Sequence, residues 1–344
     1  MIEHPIRPRE RLVKYAELRK QDLAEFHRQF QHEQNQQYRD CPACGEDDDR
    51  ADFSKDGFNF CRCRNCECLY VNPVPTEALL GRYYDGSQSM EYFHREVLVP
   101  TLDTRREIIR ERLKRMEPFV DGNDCILEVG SSIGLFVEAA LEKGWNPTAV
   151  EINTELVRYL QRHFEIPVYQ GFFERLDDLP NNQDVVVMWE VIEHLRDPEL
   201  ALRKAHAVLG DGGRLILTLP NVDGLEFQLI GPDHELIEAP GHLNYFSITT
   251  LEKLLSRTGF EIVHYETPGI LDLVNIMNAI QAGDDSGIGG RFLTSLAEFA
   301  SDEEWDAINQ AVTTAIQRAC LSGNMFVVAG KRAAVGAAAN RACA

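Results

Sequence analysis

The second half of the chain predicts an α/β fold, an open and mostly parallel sheet covered by helices, behind a small cysteine-rich module. Three observations carry that expectation. From residue 125 onward, short apolar β-branched runs alternate with helix-forming segments. The first run, Ile126-Leu127-Glu128-Val129, ends in Gly130-Ser131-Ser132-Ile133-Gly134 and opens straight into a helix. Such a corner brings backbone N–H groups and a helix N-terminus up to a ligand. Finally, six of the nine cysteines crowd between Cys41 and Cys68. In a cytoplasmic chain that clustering favours metal over disulfides.

The totals narrow the class. A chain of 344 residues can hold one large domain and a smaller module. Its 55 acidic residues against 35 basic ones give a net charge of −20, which argues against broad binding to nucleic acid or anionic membranes. No apolar run reaches the ~18 residues of a membrane-spanning helix. The start, Met1-Ile2-Glu3-His4-Pro5, is polar and lacks the apolar core of a signal peptide. The expected location is cytoplasmic.

Taken in order, residues 1–39 read as a helical arm with one apolar stripe through Leu12, Tyr15, Leu23, Phe26 and Phe30. It either packs on the next module or joins two copies of the chain in a homodimer. Residues 40–75 hold the cysteines and then an extended segment, Leu69-Tyr70-Val71-Asn72-Pro73-Val74-Pro75, because each proline biases its predecessor away from helix. Residues 76–120 read as a helical linker that covers the mouth of the next domain, with helices at 76–84 and 100–116. In 121–332 the expected strands are 125–129, 147–151, 167–169, 184–188, 214–218, 260–265 and 325–329. Helices are expected at 136–143, 155–164, 198–209 and 249–258. A helical insertion at 271–318 interrupts the domain, and 333–344 reads as a flexible tail.

Cys41 and Cys44 form one C-x2-C pair, and Cys63 and Cys66 form a second after eighteen intervening residues. That is the spacing of a tetrahedral structural zinc site. Cys61 and Cys68 stand close enough to substitute, so the register of the four ligands stays open. Glu151, twenty-three positions after Glu128, ends the second strand. An acid there accepts hydrogen bonds from ribose hydroxyls in nucleotide-type α/β folds. The loop before it carries Ser132 where a dinucleotide fingerprint has its second glycine, and it carries no lysine. A nucleoside cofactor without a pyrophosphate fits better.

The run Leu127-Glu128-Val129-Gly130…Gly134 with Glu151, together with Val191-Ile192-Glu193-His194-Leu195-Arg196-Asp197-Pro198, Asp211-Gly212-Gly213 and Gly241-His242-Leu243-Asn244-Tyr245-Phe246, resembles class I S-adenosylmethionine-dependent methyltransferases over about residues 121–331. The cysteine module with Tyr83-Tyr84 resembles the zinc-ribbon members that act on sugars and other small molecules. The resemblance implies a seven-stranded Rossmann-like sheet of order 3-2-1-4-5-7-6, its last strand antiparallel. It further implies that Gly130, Ser131, Ser132 and Gly134 face the methionine part of S-adenosyl-L-methionine and that Glu128 also belongs to the cofactor site. Glu151 and Ile152 would lie at the ribose, and Phe172 or Phe173 would border the adenine. Trp189 would lie either against the cofactor or in the core.

Glu190, Glu193 and His194 fall on one face if their segment is helical. His194 could then act as general base on a hydroxyl. The E-x-x-E-H pattern also resembles that of ubiquinone-pathway O-methyltransferases, which implies a divalent ion such as Mg2+ at these residues. His242, with Asn244 and Tyr245, could touch the acceptor. The expected reaction is methyl transfer to a small-molecule hydroxyl, a sugar or nucleotide-sugar first. Sugar C-methylation, RNA modification and a silent cofactor-binding scaffold are the alternatives.

Overall fold

A computed structural model describes residues 9–121, 124–269 and 299–332. Its large sheet is built on β6 (Cys125–Val129), whose Ile126 and Leu127 are fully buried. A strand covered on both faces needs a continuous apolar run rather than an alternating one, and this run supplies it. Outward on one side lie β7 (Asn146–Glu151) and β8 (Val168–Gln170). On the other lie β9 (Gln183–Trp189), β10 (Leu209–Pro220), β13 (Asn324–Lys331) and the edge strand β12 (Phe260–Glu266). Strands β8, β7, β6, β9 and β10 pair in parallel, and β13 runs antiparallel between β10 and β12. This is the 3-2-1-4-5-7-6 order that the resemblance implied.

Alternate residues of these strands feed two layers. Ile126, Val185, Val187 and Ile216 pack against Ile109, Leu113 and Met116 of α4 (Leu102–Met116) and Phe136 and Ala140 of α5 (Leu135–Glu142). Leu127, Val186, Met188 and Leu215 face α7 (Pro198–Val208) and α9 (Ile248–Arg257). The helix starts follow from local chemistry. Asn153 caps α6 (Thr154–His163) by accepting from Glu155 and Leu156, and Asp197 caps α7 ahead of Pro198. Ser247 and Thr250 close a reciprocal box at α9.

The amino-terminal part is built from α1 (Arg9–Phe30), a short pair β1 (Gln36–Gln37) and β5 (Val74–Pro75), and the helices α2 (Glu77–Gly86) and α3 (Gln88–Tyr92). Between them the cysteine module forms a hairpin of β2 (Asp49–Lys55) and β3 (Phe58–Cys63), with β4 (Leu69–Val71) beside it. The extended segment expected at 69–75 is here, but the β2–β3 hairpin before it has no counterpart among the expected elements. The fourth strand of the sheet is β11 (Asn244–Tyr245), which pairs with β4 from far along the chain. The module and the large domain therefore share a sheet.

They also share cores. The apolar stripe of α1 is spent in packing: Leu23, Phe26 and Phe30 join Phe58, Phe60, Leu69, Val71, Leu79, Leu80, Leu243 and Tyr245. Phe58 and Phe60 are completely buried, each worth about 2–3 kcal/mol of transfer free energy. Helix α8 (Leu225–Ile230) adds Phe227 to the same cluster. Within the expected insertion, α10 (Asp302–Arg318) is helical; its first part, 271–298, and the expected tail, 333–344, lie outside the described residues. No helix among the described residues is long and apolar enough to cross a membrane.

Candidate functional site

The loop after β6 is shaped around its glycines. Gly130 and Gly134 take left-handed backbone, with φ of +77° and +78°. A Cβ on Gly130 would meet Val191 at 2.8 Å, and one on Gly134 would meet Phe164 at 2.5 Å. Ser132 also sits left-handed, at φ +49°, and its N–H donates to Glu151 Oε2 at 2.8 Å. The other oxygen of Glu151 accepts from the N–H groups of Ile152 and Asn153 at 2.8 and 2.9 Å. Burial raises the pKa of Glu151, and these three donors oppose it. Its position is fixed by backbone before any ligand arrives.

Glu128, 3% exposed, leaves Oε2 without a partner among the described residues, as do Trp189 Nε1 and Thr218 Oγ1. Burial drives the Glu128 pKa well up. The unsatisfied Glu128 oxygen, the glycine-shaped loop after it and the preset Glu151 fit a cofactor carrying an ammonium and hydroxyls. Ser131 is buried, its hydroxyl turned to the carbonyl of Glu128. Phe172 is half-buried and faces α2, 3.8 Å from where Gly81 would carry a Cβ, so it can border the cleft. Phe173 is core, at 2% exposure. Trp189 is also core, between Phe136 and Phe326, with Arg112 lying 5.5 Å over its ring.

The four cysteines of the two C-x2-C pairs offer sulfurs that all lie within 4.8 Å of one another. Cys41 and Cys66 approach to 3.5 Å, as do Cys44 and Cys63. Zinc bonds of ~2.3 Å at tetrahedral angles put thiolates about 3.8 Å apart, so the set fits that ion. Cys61 and Cys68 point instead to the carbonyls of Asn72 and of Leu69 and Tyr245. All eight described cysteines are free of disulfides.

The segment after β9 is a tight turn rather than a helix, and this corrects the expected shared face. Glu190 sits at φ +56°, pairs with Arg112 at 2.8 Å and accepts from Asn324 at 3.1 and 3.2 Å, while its charge still acts on Glu193 and His194. Glu193 and His194 meet His242. One donor atom from each of these three lies within 4.8 Å of the others, and the two imidazoles stand edge to face at 4.6 Å. His194 Nδ1 is 2.8 Å from the carbonyl of Gly241, which favours a proton on that nitrogen, and the backbone of Glu190 also bonds the ring. His242 Nδ1 lies 2.8 Å from the carbonyl of Leu236. Burial holds His194 below its ordinary pKa, opposed by the carbonyl of Gly241 and by the charge and backbone of Glu190.

Glu193 is 2% exposed, and both its carboxylate oxygens lack hydrogen-bond partners among the described residues. Burial, with repulsion from Glu190, pushes its pKa well up. Tyr84 reaches the same spot, its hydroxyl donating to the Gly241 carbonyl at 3.3 Å. Asn244 and Tyr245, expected to touch an acceptor, hold structure instead. Asn244 donates to the carbonyl of Leu195 at 2.7 Å, and the Tyr245 hydroxyl donates to that of His242 at 3.1 Å. The sequence reading passed over Arg112, whose role depends on a contact spanning 78 positions. The one signal for it was an arginine on the helix leading into β6.

Residues 102–265 match a family profile described as a methyltransferase domain. The chain is 28% identical over 160 residues to a ubiquinone biosynthesis O-methyltransferase of Xanthomonas euvesicatoria pv. vesicatoria, covering 44% of this chain and 62% of that one. The same enzyme of Pseudomonas aeruginosa is 23% identical over 170 residues, covering 46% and 68%. The chain thus spans about three-fifths of the length of the first curated relatives it matches. A crystal structure described as a SAM dependent methyltransferase from Archaeoglobus fulgidus aligns with 66% of this chain and 94% of its own, at a TM-score of 0.46 and 22% identity.

Proposed function

We propose, from the premise that residues 102–265 form a class I S-adenosylmethionine-dependent methyltransferase domain, that the chain methylates a hydroxyl of a small molecule bound at Glu193, His194 and His242. The observation that carries this is the neutral His194 beside a buried Glu193 with no partner for its oxygens. With its pKa raised, that carboxyl holds a proton and offers one donor besides its acceptor lone pairs, and an acceptor molecule with more than one hydroxyl meets both. The relatives' names speak for oxygen as the methylated atom. A sugar or nucleotide-sugar remains our first choice of acceptor, with C-methylation of a sugar second.

S-adenosylmethionine, when bound, supplies a methyl group on a sulfonium, which leaves as the thioether when an oxygen nucleophile displaces it. The chain's own work lies in binding and in moving one proton. Glu151 and the backbone around Gly130, Ser132 and Gly134 would hold the cofactor, with Glu128 available to its ammonium. His194 Nε2 takes the hydroxyl proton as the new C–O bond forms, and Gly241 steadies the resulting imidazolium through Nδ1. Glu193 accepts from a neighbouring hydroxyl and so aligns the attack. Cys41, Cys44, Cys63 and Cys66 would hold zinc as a closed structural site.

A second reading has one specific observation behind it. Glu193, His194 and His242 bring three donors together, and both imidazoles are oriented through Nδ1 by backbone carbonyls. That outer-shell pattern is typical of metal-bound histidines, so a divalent ion could sit beside the acceptor hydroxyl. RNA as acceptor finds less support. Arg62 and Arg64 in the ribbon are paired with Asp52 and Asp48, and no steep salt dependence is expected in filter binding.

Radiolabelled methyl transfer to a panel of nucleotide-sugars tests the main reading, with calorimetry of S-adenosylhomocysteine on wild type and Glu151→Gln. The variant should bind about 10–100-fold more weakly, the worth of one charged hydrogen bond. Equal affinity would remove Glu151 from the cofactor site. Dialysis against a chelator, then Mg2+ or Mn2+ titration, separates the two readings: flat activity leaves His194 as base without an ion.

A further inference from the structure

Arg39 lies two residues before the first cysteine and makes no ion pair among the described residues. Its guanidinium lies 5.5 Å over the ring of Tyr70 and donates to three carbonyls from three parts of the fold. They are Arg196 at 2.9 Å, Leu243 at 2.9 Å and Val71 at 3.3 Å. Val71 belongs to ribbon strand β4, Arg196 to the loop that carries Glu193 and His194, and Leu243 to the loop that carries His242. A planar fork with a permanent charge can join three acceptors in this way, whereas an ammonium on a flexible stem cannot hold them in one geometry.

The two loops are also fastened to each other. The backbone N–H groups of Leu243 and Asn244 both donate to the carbonyl of Glu193, at 2.8 and 3.0 Å. The N–H of Val71 donates to the same Leu243 carbonyl at 3.0 Å, and β11 then pairs with β4. Asn72 closes the other end, exchanging hydrogen bonds with the backbone of Arg39 at 3.2 Å in each direction. From α9, Arg257 donates to the carbonyl of Ala43 inside the first cysteine turn.

We propose that the cysteine ribbon is the seat of the His194–His242 pair, and that Arg39 is the positioning residue that locks both loops to it. The proposal rests on the reading of His194 and His242 as the acceptor site, but what it asserts is a mechanical coupling that can be measured without any acceptor. Holding zinc orders β3 and β4, which present the Val71 edge. Arg39 and β11 carry that order to Glu193, His194 and His242. The cofactor loop follows the neighbouring strand β6, its Gly130 packed against Val191, and none of the hydrogen bonds of Arg39 reaches it.

The test uses the full zinc-loaded chain in two arms. In the first, hydrogen exchange is followed before and after removal of zinc by a chelator. Exchange at residues 241–246 should quicken about tenfold or more while strand β6 stays protected. Unchanged loop exchange, or an equal rise in β6, would overturn the coupling. In the second arm, Arg39→Met and Arg39→Lys are compared with wild type. Both should keep their zinc and bind S-adenosylhomocysteine within about threefold of wild type. Both should lose the slowly exchanging downfield proton signal of His194 Nδ1. A signal retained in Arg39→Lys would reduce Arg39 to a charge and overturn its role, as would loss of zinc in that variant. Should Arg39→Met fail to fold, the lysine variant and the exchange arm still decide. If wild type binds no S-adenosylhomocysteine, the methyltransferase reading fails while the exchange result stands on its own.

Discussion

The imidazole of His194 is pinned by the carbonyl of Gly241 at 2.8 Å, and its other nitrogen lies 3.9 Å from a carboxylate oxygen of Glu193. Because Gly241 is next to His242, the same backbone link sets the spacing of the histidine pair. One carbonyl thus favours one tautomer of the first imidazole and sets the place of the other.

A pH profile follows from the burial of His194. Its pKa lies below the ordinary 6.5, so the neutral base persists into mildly acid solution. The acid limb of kcat/KM should therefore fall below pH 6.5, and a limb at or above that value would count against His194 as base. Removing it as His194→Ala should lower kcat by about 10²–10⁴.

Glu193 should trade stability for function. Its pKa is raised in the fold, so the folded state holds the proton more tightly than the unfolded chain does. Stability is then lost as pH climbs from about 4.5 through the folded pKa. Glu193→Gln removes that penalty. We expect a melting temperature above wild type by a margin that widens with pH, on the order of 1–3 kcal/mol at its largest, together with reduced turnover. A margin that shrinks as pH rises would contradict the burial argument.

Ser132 stands in left-handed backbone at φ +49°, where a side chain costs ~1–2 kcal/mol. Ser132→Gly relieves that strain at the expense of a looser unfolded chain. A net gain of roughly 0.5–1 kcal/mol is expected in denaturant melts, with affinity for S-adenosylhomocysteine unchanged. Weaker binding would mean that the serine hydroxyl contacts the cofactor.

The cysteine register can be read from metal content. Serine in place of Cys41, Cys44, Cys63 or Cys66 should abolish zinc binding, whereas Cys61→Ser and Cys68→Ser should keep about one zinc per chain. Zinc lost from either of the last two would shift the ligand set.

Most of the large sheet was legible in the sequence, because each buried strand is an apolar run bounded by turn residues, as in Ile126–Val129 or Val185–Met188. The preset Glu151 and the C-x2-C pairs were legible through spacing alone. What stayed hidden depends on contacts with no local signature. The β2–β3 hairpin is half exposed, and its charged residues 47–50 mask the alternation. Strand β11 is two residues long and exists because β4 offers it an edge. Glu190 was grouped with Glu193 by helical spacing, but the segment is a turn with Glu190 in left-handed backbone, and its carboxylate is taken up by Arg112 and Asn324. Arg39 and Arg112 have partners far along the chain, at Arg196 and Leu243 and at Glu190, and nothing near them in sequence marks them.

The pairing of β4 with β11 also bears on biosynthesis. Val71 leaves the ribosome 173 positions before Asn244 (244 minus 71). At roughly 5–20 residues per second, the three-stranded ribbon waits on the order of ten to thirty seconds for its fourth strand. During that interval Leu69, Tyr70 and Val71 present an apolar, unpaired edge, the kind that recruits other strands. A nascent chain stalled or cleaved before residue 244 would keep that edge permanently, so truncated forms should aggregate through β4 even with zinc bound.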